Sequence, residues 1–419
     1  MTKRLSTCGR LAIGVFFLAT SLLHAETRPH YGGTLRVQLL SMFPDPEKTP
    51  LTAETLVRLD EHGDLAPLLA RGWQGGQNRW RFLIRTKLIS TSAVASKLAP
   101  IVKEWDARAS VTSTATSVVI QTDRPMSDLL ERLARPEAGI AGTGPFRVAK
   151  WDSGKRAILE ANEDYAGGRP FVDSVDFTAE PQHSAPYQLS SADIWELPVG
   201  VSRRLIPDGM RVWTSPALDL VALWLKSPSQ PLRDALSLSI DRSAIVNVLT
   251  QRRGEAASGL LPQWLTGYEF LFAAPFDPTR AREVAKSANF GPMTLHYDAS
   301  DPLVRSVAGR VAVNAREAGI ALQISTSVAN ADIELRRIPL ECMDAARALH
   351  EIAAKPLGDL NSAEALYRAE RSLLDENRIV PLVHVPRVFG IGPRVHAAGA
   401  TGLPACDLLG SIPNLWLAP

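Results

Sequence analysis

The chain has 419 residues, of which 45% are hydrophobic and 21% are charged, so it can form two or three packed domains. Glycine and proline account for about one residue in seven, which is below the share found in low-complexity chains. The formal net charge is +2, and three of the basic residues lie in the first 25 positions, where no acidic residue occurs. The rest of the chain therefore carries a net charge of −1, which disfavours a nucleic-acid-binding protein.

The N-terminus has the layout of a secretory signal peptide. Three basic residues, Lys3, Arg4 and Arg10, precede a mostly apolar run at 11–23. The small residue Ala25 follows the run, and polar sequence begins after it. A membrane anchor is the alternative, but the run has about 13 residues and a spanning helix needs roughly 20. We therefore predict a signal peptide at 1–25 and a soluble mature protein that is exported.

The cysteines leave two interpretations open. Cys8 precedes the apolar run, so it is not placed for lipid attachment. Cys342 and Cys406 remain after cleavage, and an oxidising compartment would allow them to form a disulfide, but we favour two separate buried thiols. The chain contains no Cys-X-X-Cys pair, so the sequence does not indicate a zinc site or thioredoxin-like chemistry.

The first part of the chain predicts short strands with few helices. Alternating apolar and polar residues predict strands at 34–40, 80–85, 117–122, 146–151 and 157–161. Helical spacing predicts helices at 93–105 and 126–133, and a short helical or turn segment at 65–73. The Gly-Thr-Gly-Pro cluster at 142–145 predicts a tight turn.

The second part predicts alternating helices and strands. Helices are predicted at 232–250, 279–288, 303–318 and 362–374, with Asp277 as an N-cap and Gly319 as a C-cap. Strands are predicted at 293–297, 320–324 and 380–385. This order indicates an α/β lobe.

Several motifs, in chain order, resemble the family 5 extracellular solute-binding proteins, which include the dipeptide-, oligopeptide- and nickel-binding components of ABC importers. They are Tyr-Gly-Gly-Thr-Leu-Arg-Val at 31–37, Leu-Ala-Pro-Leu-Leu-Ala-Arg-Gly-Trp at 65–73, Gly-Thr-Gly-Pro-Phe at 142–146, Asn-Glu-Asp-Tyr at 162–165, Leu-Arg-Asp-Ala-Leu at 232–236, Ile-Asp-Arg at 240–242 and Phe-Asp-Pro at 276–278.

The resemblance implies an α/β fold, the two-lobed class II periplasmic binding protein of the peptide-binding type, with a ligand cleft between the lobes. Lobe I is expected to be discontinuous and to comprise 26–48, 139–222 and 384–419. A reduced accessory subdomain is expected at 49–138, and lobe II at 223–383. The acidic motif that family members carry after the strand at 80–85 is missing, and so is the late Trp and Asp segment that often holds a peptide's amino end.

The resemblance also suggests ligand-binding residues. Trp195 and Glu196 lie in a segment whose family counterpart faces the ligand, and Trp224 and Trp264 stand near segments assigned to the cleft. A Trp offers an apolar face and one donor, and a Glu can pair with an ammonium group. The alternative is that the Trp side chains fill the core and that Glu196 is solvated.

Other chemistry has little support in the sequence. Arg336 and Arg337 could bind a carboxylate, although adjacent residues on a strand point to opposite faces. His296, His350 and His384 are scattered, so we expect no metal site and no cofactor. The nucleophile motif Gly-X-Ser-X-Gly is absent, so we expect no catalytic residues and no enzyme.

The resemblance therefore implies a monomeric, periplasmic substrate-binding protein that captures a peptide-like solute and delivers it to the permease subunits of an ABC transporter. A degenerate homologue with a sensory or structural interaction role is the first alternative, because the acidic motif is missing. A secreted hydrolase on the same scaffold is the second.

The signal peptide gives the first testable prediction. Because a small residue at position 25 is followed by polar sequence, N-terminal sequencing of the exported protein should begin at Glu26. The unprocessed cytoplasmic chain serves as the control. A product that retains Met1 in the membrane fraction would contradict the prediction.

Overall fold

The computed structural model describes residues 28–40, 45–46, 49–59, 64–86, 89–179, 191–226, 229–288, 291–328, 331–340, 344–353, 357, 360, 362–398, 403–404 and 406–418. The predicted signal peptide and its cleavage site lie outside these residues. Within them, no helix has the length and apolar character needed to cross a membrane.

The strands, in chain order, are β1 (Thr34–Leu39), β2 (Ala53–Glu54), β3 (Val57–Leu59), β4 (Leu65–Pro67), β5 (Ala70–Gly76), β6 (Arg79–Ile84), β7 (Ser110–Ser113), β8 (Ser117–Gln121), β9 (Ile140–Ala141), β10 (Phe146–Asp152), β11 (Arg156–Ala161), β12 (Ser174–Ala179), β13 (Ile194–Leu197), β14 (Arg211–Leu225), β15 (Glu255–Ala256), β16 (Met293–Tyr297), β17 (Leu322–Ser325), β18 (Ile333–Pro339), β19 (Ile379–Ile391), β20 (Val395–Ala397) and β21 (Leu415–Leu417).

The α-helices are α1 (Thr91–Trp105), α2 (Leu129–Leu133), α3 (Gln230–Ser239), α4 (Arg242–Ala244), α5 (Gln263–Thr266), α6 (Pro278–Ala288), α7 (Pro302–Glu317), α8 (Ala345–Ala353) and α9 (Ala363–Asp375). Side-chain caps fix several of their starts. Asp301 accepts hydrogen bonds from the amides of Leu303 and Val304 at 2.8 and 3.1 Å, and Asp277 accepts one from Arg280 at 2.9 Å, as an N-cap does. The predicted C-cap is also confirmed, since Gly319 follows α7 with φ of +77°.

One large sheet connects the two lobes. Its strand order is β10-β11-β12-β1-β13-β19-β14-β18-β16-β17, with β15 also paired to β19. The long strands β14 and β19 run through both lobes, pairing with each other over most of their length. Their register shifts between Thr214 and Asp219, where Ala217 faces Pro386. Pro216 and Pro386 have no amide hydrogen to donate, so the ladder is interrupted at the passage between the lobes.

Separate cores flank this passage. The first-lobe core contains Leu35, Val37, Phe146, Phe177 and Ile391, and the second-lobe core contains Val221, Leu223, Leu236, Leu295 and Val307. A third cluster, drawn from residues between Leu56 and Ile140, packs α1 and α2 against the sheet β5-β6-β8-β7. The predicted domain boundaries remain a prediction; Val221 and Val385, which they assign to lobe I, pack in the second-lobe core.

Three sequence predictions were wrong. The segment 65–73 forms strand β4 and most of β5 instead of a helical or turn segment. The pairing of β5 with β6 has a register shift between Ala70 and Gly72, and this irregularity breaks the apolar–polar alternation from which a strand is predicted. The predicted helix at 232–250 is interrupted after Ser239, since Asp241 caps a new helix through the amide of Ala244 at 2.9 Å. Cys406 is disulfide-bonded, which overturns the preferred free thiol there; Cys342 lies outside the described residues.

Motifs that carried the family resemblance lie together in the first lobe. The buried Asn162 donates from Nδ2 to the carbonyl of Gly144 at 2.8 Å, and Thr143 Oγ1 accepts from the amide of Glu54 at 2.9 Å. A Cβ at Gly144 would lie 2.5 Å from the backbone of Thr52, so this close approach requires glycine. The turn at 142–145 is therefore a packing element of the first lobe.

Two buried carboxyl groups hold the loop at 258–272 of the second lobe. Glu370 accepts from the amides of Leu260 and Leu261 at 2.6 and 3.0 Å and from the hydroxyl of Tyr268 at 2.9 Å. Glu269 accepts from the amide of Ser258 at 3.0 Å, and it lies 3.7 Å from the Nδ1 atom of His384. The loop is thus held by two carboxyl groups that are almost fully buried.

Burial shifts the ionisation of these groups in opposite directions. It raises the pKa of Glu370 from 4.5 to about 7, against the hydrogen bonds from Leu261 and Tyr268. It lowers the pKa of His384 from 6.5 to about 4. Ionisation of Glu370 therefore destabilises the folded state as pH rises from 4.5 to about 7, while His384 destabilises it as pH falls from 6.5 to about 4.

Glu370→Gln should separate the pH-dependent destabilisation by Glu370 from that by His384. A glutamine keeps an acceptor oxygen for Leu260 and Leu261 but cannot ionise, so the variant should gain stability relative to the native protein as pH rises from about 5 to 7. The gain should approach about 3 kcal/mol, at 1.36 kcal/mol per pKa unit. Urea unfolding at several pH values measures it. Glu364→Gln, at an exposed position of the same helix, is the control. A stability difference that does not change with pH would contradict the assignment.

Candidate functional site

The strand directions place a cleft between the lobes. In the first lobe β1 is parallel to β12 and β13, and in the second lobe β16 is parallel to β17 and β18. The carboxyl end of β1 leads to Leu40, and that of β16 leads to Asp301 at the start of α7. Leu40 and Asp301 both approach the same group of charged side chains. Ligands of open α/β sheets bind outside the carboxyl ends of the strands, so this region is the candidate site.

Side-chain alternation puts the charged groups on the floor of the cleft. Arg387 lies on β19 between Val385 of the second-lobe core and Phe389 of the first-lobe core, two residues from each. Since residues two apart share a sheet face, Arg387 occupies the gap between the two cores. By the same rule Asp219 shares the face of Val221, and Glu196 shares the face of Ile194.

We call Glu196, Asp219, Asp301, Arg337 and Arg387 the hinge charge cluster. Its centre is Asp219, which is 4% exposed. One carboxylate oxygen accepts from Nε of Arg337 at 2.9 Å, and the other accepts from Nε of Arg387 at 3.0 Å. Arg337 also donates from Nη1 to Asp301 at 3.2 Å. Burial by itself would lower the pKa of Arg337, but Asp219, Asp301 and Glu196 raise it above its usual value, so Arg337 is charged.

Glu196 joins this cluster from the first lobe. Its Oε2 atom accepts from the amide of Leu40 at 3.0 Å. Burial raises the pKa of Glu196, while the positive charge of Arg337 and the Leu40 amide lower it less. Glu196 is therefore partly buried beside the carboxyl end of β1. Its role in binding an amine stays a prediction.

The three predicted tryptophans lie in three different places. Trp195 is 1% exposed and packs with Leu197, Met210 and Val388 on the sheet face opposite Glu196. This packing favours the core-filling alternative, and its ligand role stays untested. Trp224 lies on β14, and Trp264 lies in α5 within the loop at 258–272.

Trp224 lies at the distal end of β14, where the guanidinium of Arg336 sits 5.1 Å from its ring centre. Its side chain packs with α8 and α9, away from the hinge charge cluster. Trp264 is 39% exposed and donates from Nε1 to the carbonyl of Ala217 at 3.0 Å, next to the interrupted ladder. Of the predicted site residues, Glu196 and Trp264 thus lie at the passage between the lobes, whereas Trp195 and Trp224 are packed elsewhere.

The two adjacent arginines and the histidines have separate surroundings. Arg336 pairs with Glu334 and stacks on Trp224, whereas Arg337 points to the other face and into the hinge charge cluster. His350 contacts the carbonyl of Ala346, and His384 is fully buried behind the hinge. Within the described residues, no group of three or more metal-ligating side chains occurs.

Sequence reasoning missed three members of the hinge charge cluster: Asp219, Asp301 and Arg387. A usable signal was present for two of them, because Asp219 and Arg387 are charges in the mostly apolar interior of a long strand. A buried charge in such a strand needs a partner of opposite charge. The sequence therefore predicts an ion pair but does not identify the partner residue.

Removing the central carboxylate tests the hinge charge cluster. Asp219→Asn leaves the buried Arg337 and its neighbour Arg387 without their shared counter-charge, so the free energy of unfolding should fall by about 3 kcal/mol. Denaturant unfolding measures the loss. The control is Asp176→Asn, which breaks the more exposed pair with Arg156 and should cost less than about 1 kcal/mol. Equal losses in both variants would show that the cluster adds little beyond a surface pair.

Curated relatives match the chain over limited segments. The Oligopeptide-binding protein AppA of Bacillus subtilis is 30% identical over 142 residues, which cover 32% of this chain and 26% of the relative. The Dipeptide-binding protein of Escherichia coli is 25% identical over 158 residues, which cover 35% of this chain and 30% of the relative. The matches thus span about a third or less of these relatives' length.

Solved structures match over almost the whole chain. The periplasmic binding protein DppA of Helicobacter pylori in complex with peptide STSA has a TM-score of 0.76 at 16% identity, covering 93% of this chain and 99% of that structure. NikA of Staphylococcus aureus in complex with Ni(L-His)2 has a TM-score of 0.74 at 13% identity, covering 92% of this chain and 98% of that structure. At these identities the likeness establishes the fold, which is the predicted two-lobed α/β fold of periplasmic peptide- and nickel-binding proteins.

The family model for the bacterial extracellular solute-binding proteins, family 5 Middle, matches residues 91–339. This match covers more than half of the chain, and it includes α1, the strands β10 to β14, and β18 with Arg337. Together with the fold and the cleft between the carboxyl ends of the strands, it identifies the chain as a member of the family 5 bacterial extracellular solute-binding proteins.

Proposed function

We propose that the protein is the substrate-binding component of an ABC importer and that it captures a peptide-like solute between its lobes in the periplasm. The observation that carries the proposal is the buried, charged floor between two cores, at the point where two prolines interrupt the connecting strands. Such a junction allows hinge closure around a solute, and its paired charges can be matched by a polar ligand.

The family membership supports this proposal, since the family consists of solute-binding proteins. The printed names of the relatives from Bacillus subtilis and Escherichia coli refer to oligopeptide and dipeptide binding. The proposal includes delivery of the bound solute to permease subunits, a monomeric state and the absence of catalysis. Cleavage of the signal peptide after Ala25 would release the mature protein into the periplasm.

Closure on binding tests the proposed function. Binding shifts the lobes toward the closed state only if the solute has higher affinity for that state. Small-angle scattering should therefore give a smaller radius of gyration when a mixture of peptides of two to five residues is added. Maltose, which has neither an ammonium nor a carboxylate group, is the control solute. An unchanged radius with every peptide would contradict solute capture and would favour an interaction role without a ligand.

A further inference from the structure

We propose that a cavity of the second lobe, separate from the hinge charge cluster, binds a small monocarboxylate through the guanidinium of Arg242. The cavity has a volume of about 220 Å³ and is lined by residues 240–243 at the start of α4, by residues 256–258, and by Ala274 and Phe276. None of these residues belongs to the hinge charge cluster, so the inference goes beyond solute capture and does not rest on it.

Arg242 is a buried cation without a counter-charge. The residue is 6% exposed, and within the described residues no carboxylate forms an ion pair with it. Burial lowers its pKa from 12.5 to about 10, and no neighbouring acid offsets this lowering, so the group is still charged at neutral pH. Arginines that are buried to this degree are usually paired. An anion bound in the cavity would supply the missing counter-charge.

The guanidinium of Arg242 is held in place but keeps a donor. Its Nε atom donates to the carbonyl of Pro381 at 2.8 Å, and Nη1 donates to that of Ser237 at 3.4 Å, which is long for such a bond. In the part of the chain that the structure describes, Nη2 has no hydrogen-bond partner, and this atom keeps some accessible surface. A guanidinium that is already oriented can bind a carboxylate through its terminal edge with little loss of conformational freedom.

The other walls of the cavity restrict the class of anion. Asp241 also lines it, with Oδ1 accepting from the amide of Ala244 at 2.9 Å, and this negative charge disfavours a divalent anion. Apolar walls come from Ala256, Ala257 and the half-exposed Phe276. Since a cavity of about 150 Å³ can hold benzene, this one has room for a carboxylate with a short alkyl chain, such as propionate.

Urea unfolding with added propionate tests whether such an anion binds. Propionate is added at millimolar concentrations, and sodium chloride keeps the ionic strength constant. A ligand that binds only the folded state stabilises it by mass action, so the midpoint of unfolding should rise with propionate concentration. Propionamide, which has nearly the same shape without the charge, and divalent sulfate should leave the midpoint unchanged. An equal rise with propionamide or sulfate, or no rise with propionate, would overturn the inference.

Ser243→Asp tests whether the anion binds in this cavity. Ser243 is an exposed residue of the cavity wall, so an aspartate there adds a competing negative charge while the contacts of Arg242 with Pro381 and Ser237 are kept. The dissociation constant for propionate, obtained from the midpoints, should increase at least about tenfold. The control is Asn247→Asp, which adds the same charge at an exposed position outside the cavity wall and should keep the native affinity. Native affinity in Ser243→Asp would place the anion elsewhere and contradict the inference.

A spectroscopic measurement covers the case in which Ser243→Asp is too unstable for the unfolding experiment. In the native protein labelled with 15N-arginine, the side-chain resonance of Arg242 should shift with propionate and not with propionamide. The resonance is assigned by its loss in Arg242→Lys. An Arg242 resonance that does not respond to propionate would rule the site out. Compaction of the lobes by peptides is measured separately, so this inference and the proposed function can fail independently.

Discussion

Asp219 lies where the two long strands pass between the lobes, and its buried carboxylate serves two guanidinium groups at once. Bringing these charges out of water is costly, and the cost is offset because each Nε of Arg337 and Arg387 has a carboxylate oxygen at hydrogen-bond distance. The pairing lets charged residues sit between two apolar cores. Without it, the gap between the cores would hold two guanidinium groups with no shared counter-charge.

The same region combines continuity with a local weakness. The large sheet runs without a break from β10 to β17, so the two lobes share one framework. At Pro216 and Pro386 the ladder between β14 and β19 loses donors and its register shifts. Bending at this point disturbs fewer backbone hydrogen bonds than bending elsewhere along the strands. The charged floor and the weak part of the ladder therefore coincide at the passage between the lobes.

The loop at 258–272 is held by hydrogen bonds to buried carboxyl groups, whereas the residues of the hinge charge cluster are held by ion pairs. Its amides at 258–261 are bound to two carboxyl groups, Glu269 and Glu370, that lie in an apolar cluster. Trp264, within this loop, reaches the carbonyl of Ala217 in the interrupted part of β14. The loop that contacts Ala217 is thus stabilised by hydrogen bonds to the buried Glu269 and Glu370. Glu370 and His384, whose pKa values are shifted by burial, both contact Leu260 of this loop.

Much of the fold could be predicted from local sequence. Helical spacing and caps identified α1, α6, α7 and most of α9, and the ordered motifs predicted the two-lobed α/β fold that the structural matches bear out. The predictions failed where local pattern and pairing disagree. At 65–73 a bulge hides the alternation, and at Asp241 a side-chain cap starts a new helix inside an apolar pattern with helical spacing.

The candidate site depended far more on tertiary structure. The sequence by itself determined that Trp195 and Glu196 are neighbours on one strand, and period-two alternation requires them to point apart. Which of them faces the cleft was decided by the sheet order, since β13 lies between β1 and β19 and has a core on each face. Asp219, Arg337 and Arg387 are distant in sequence, and only the pairing of β14 with β18 and β19 brings them together. Charge pairing of this kind is set by geometry between strands, which single-sequence periodicity does not contain.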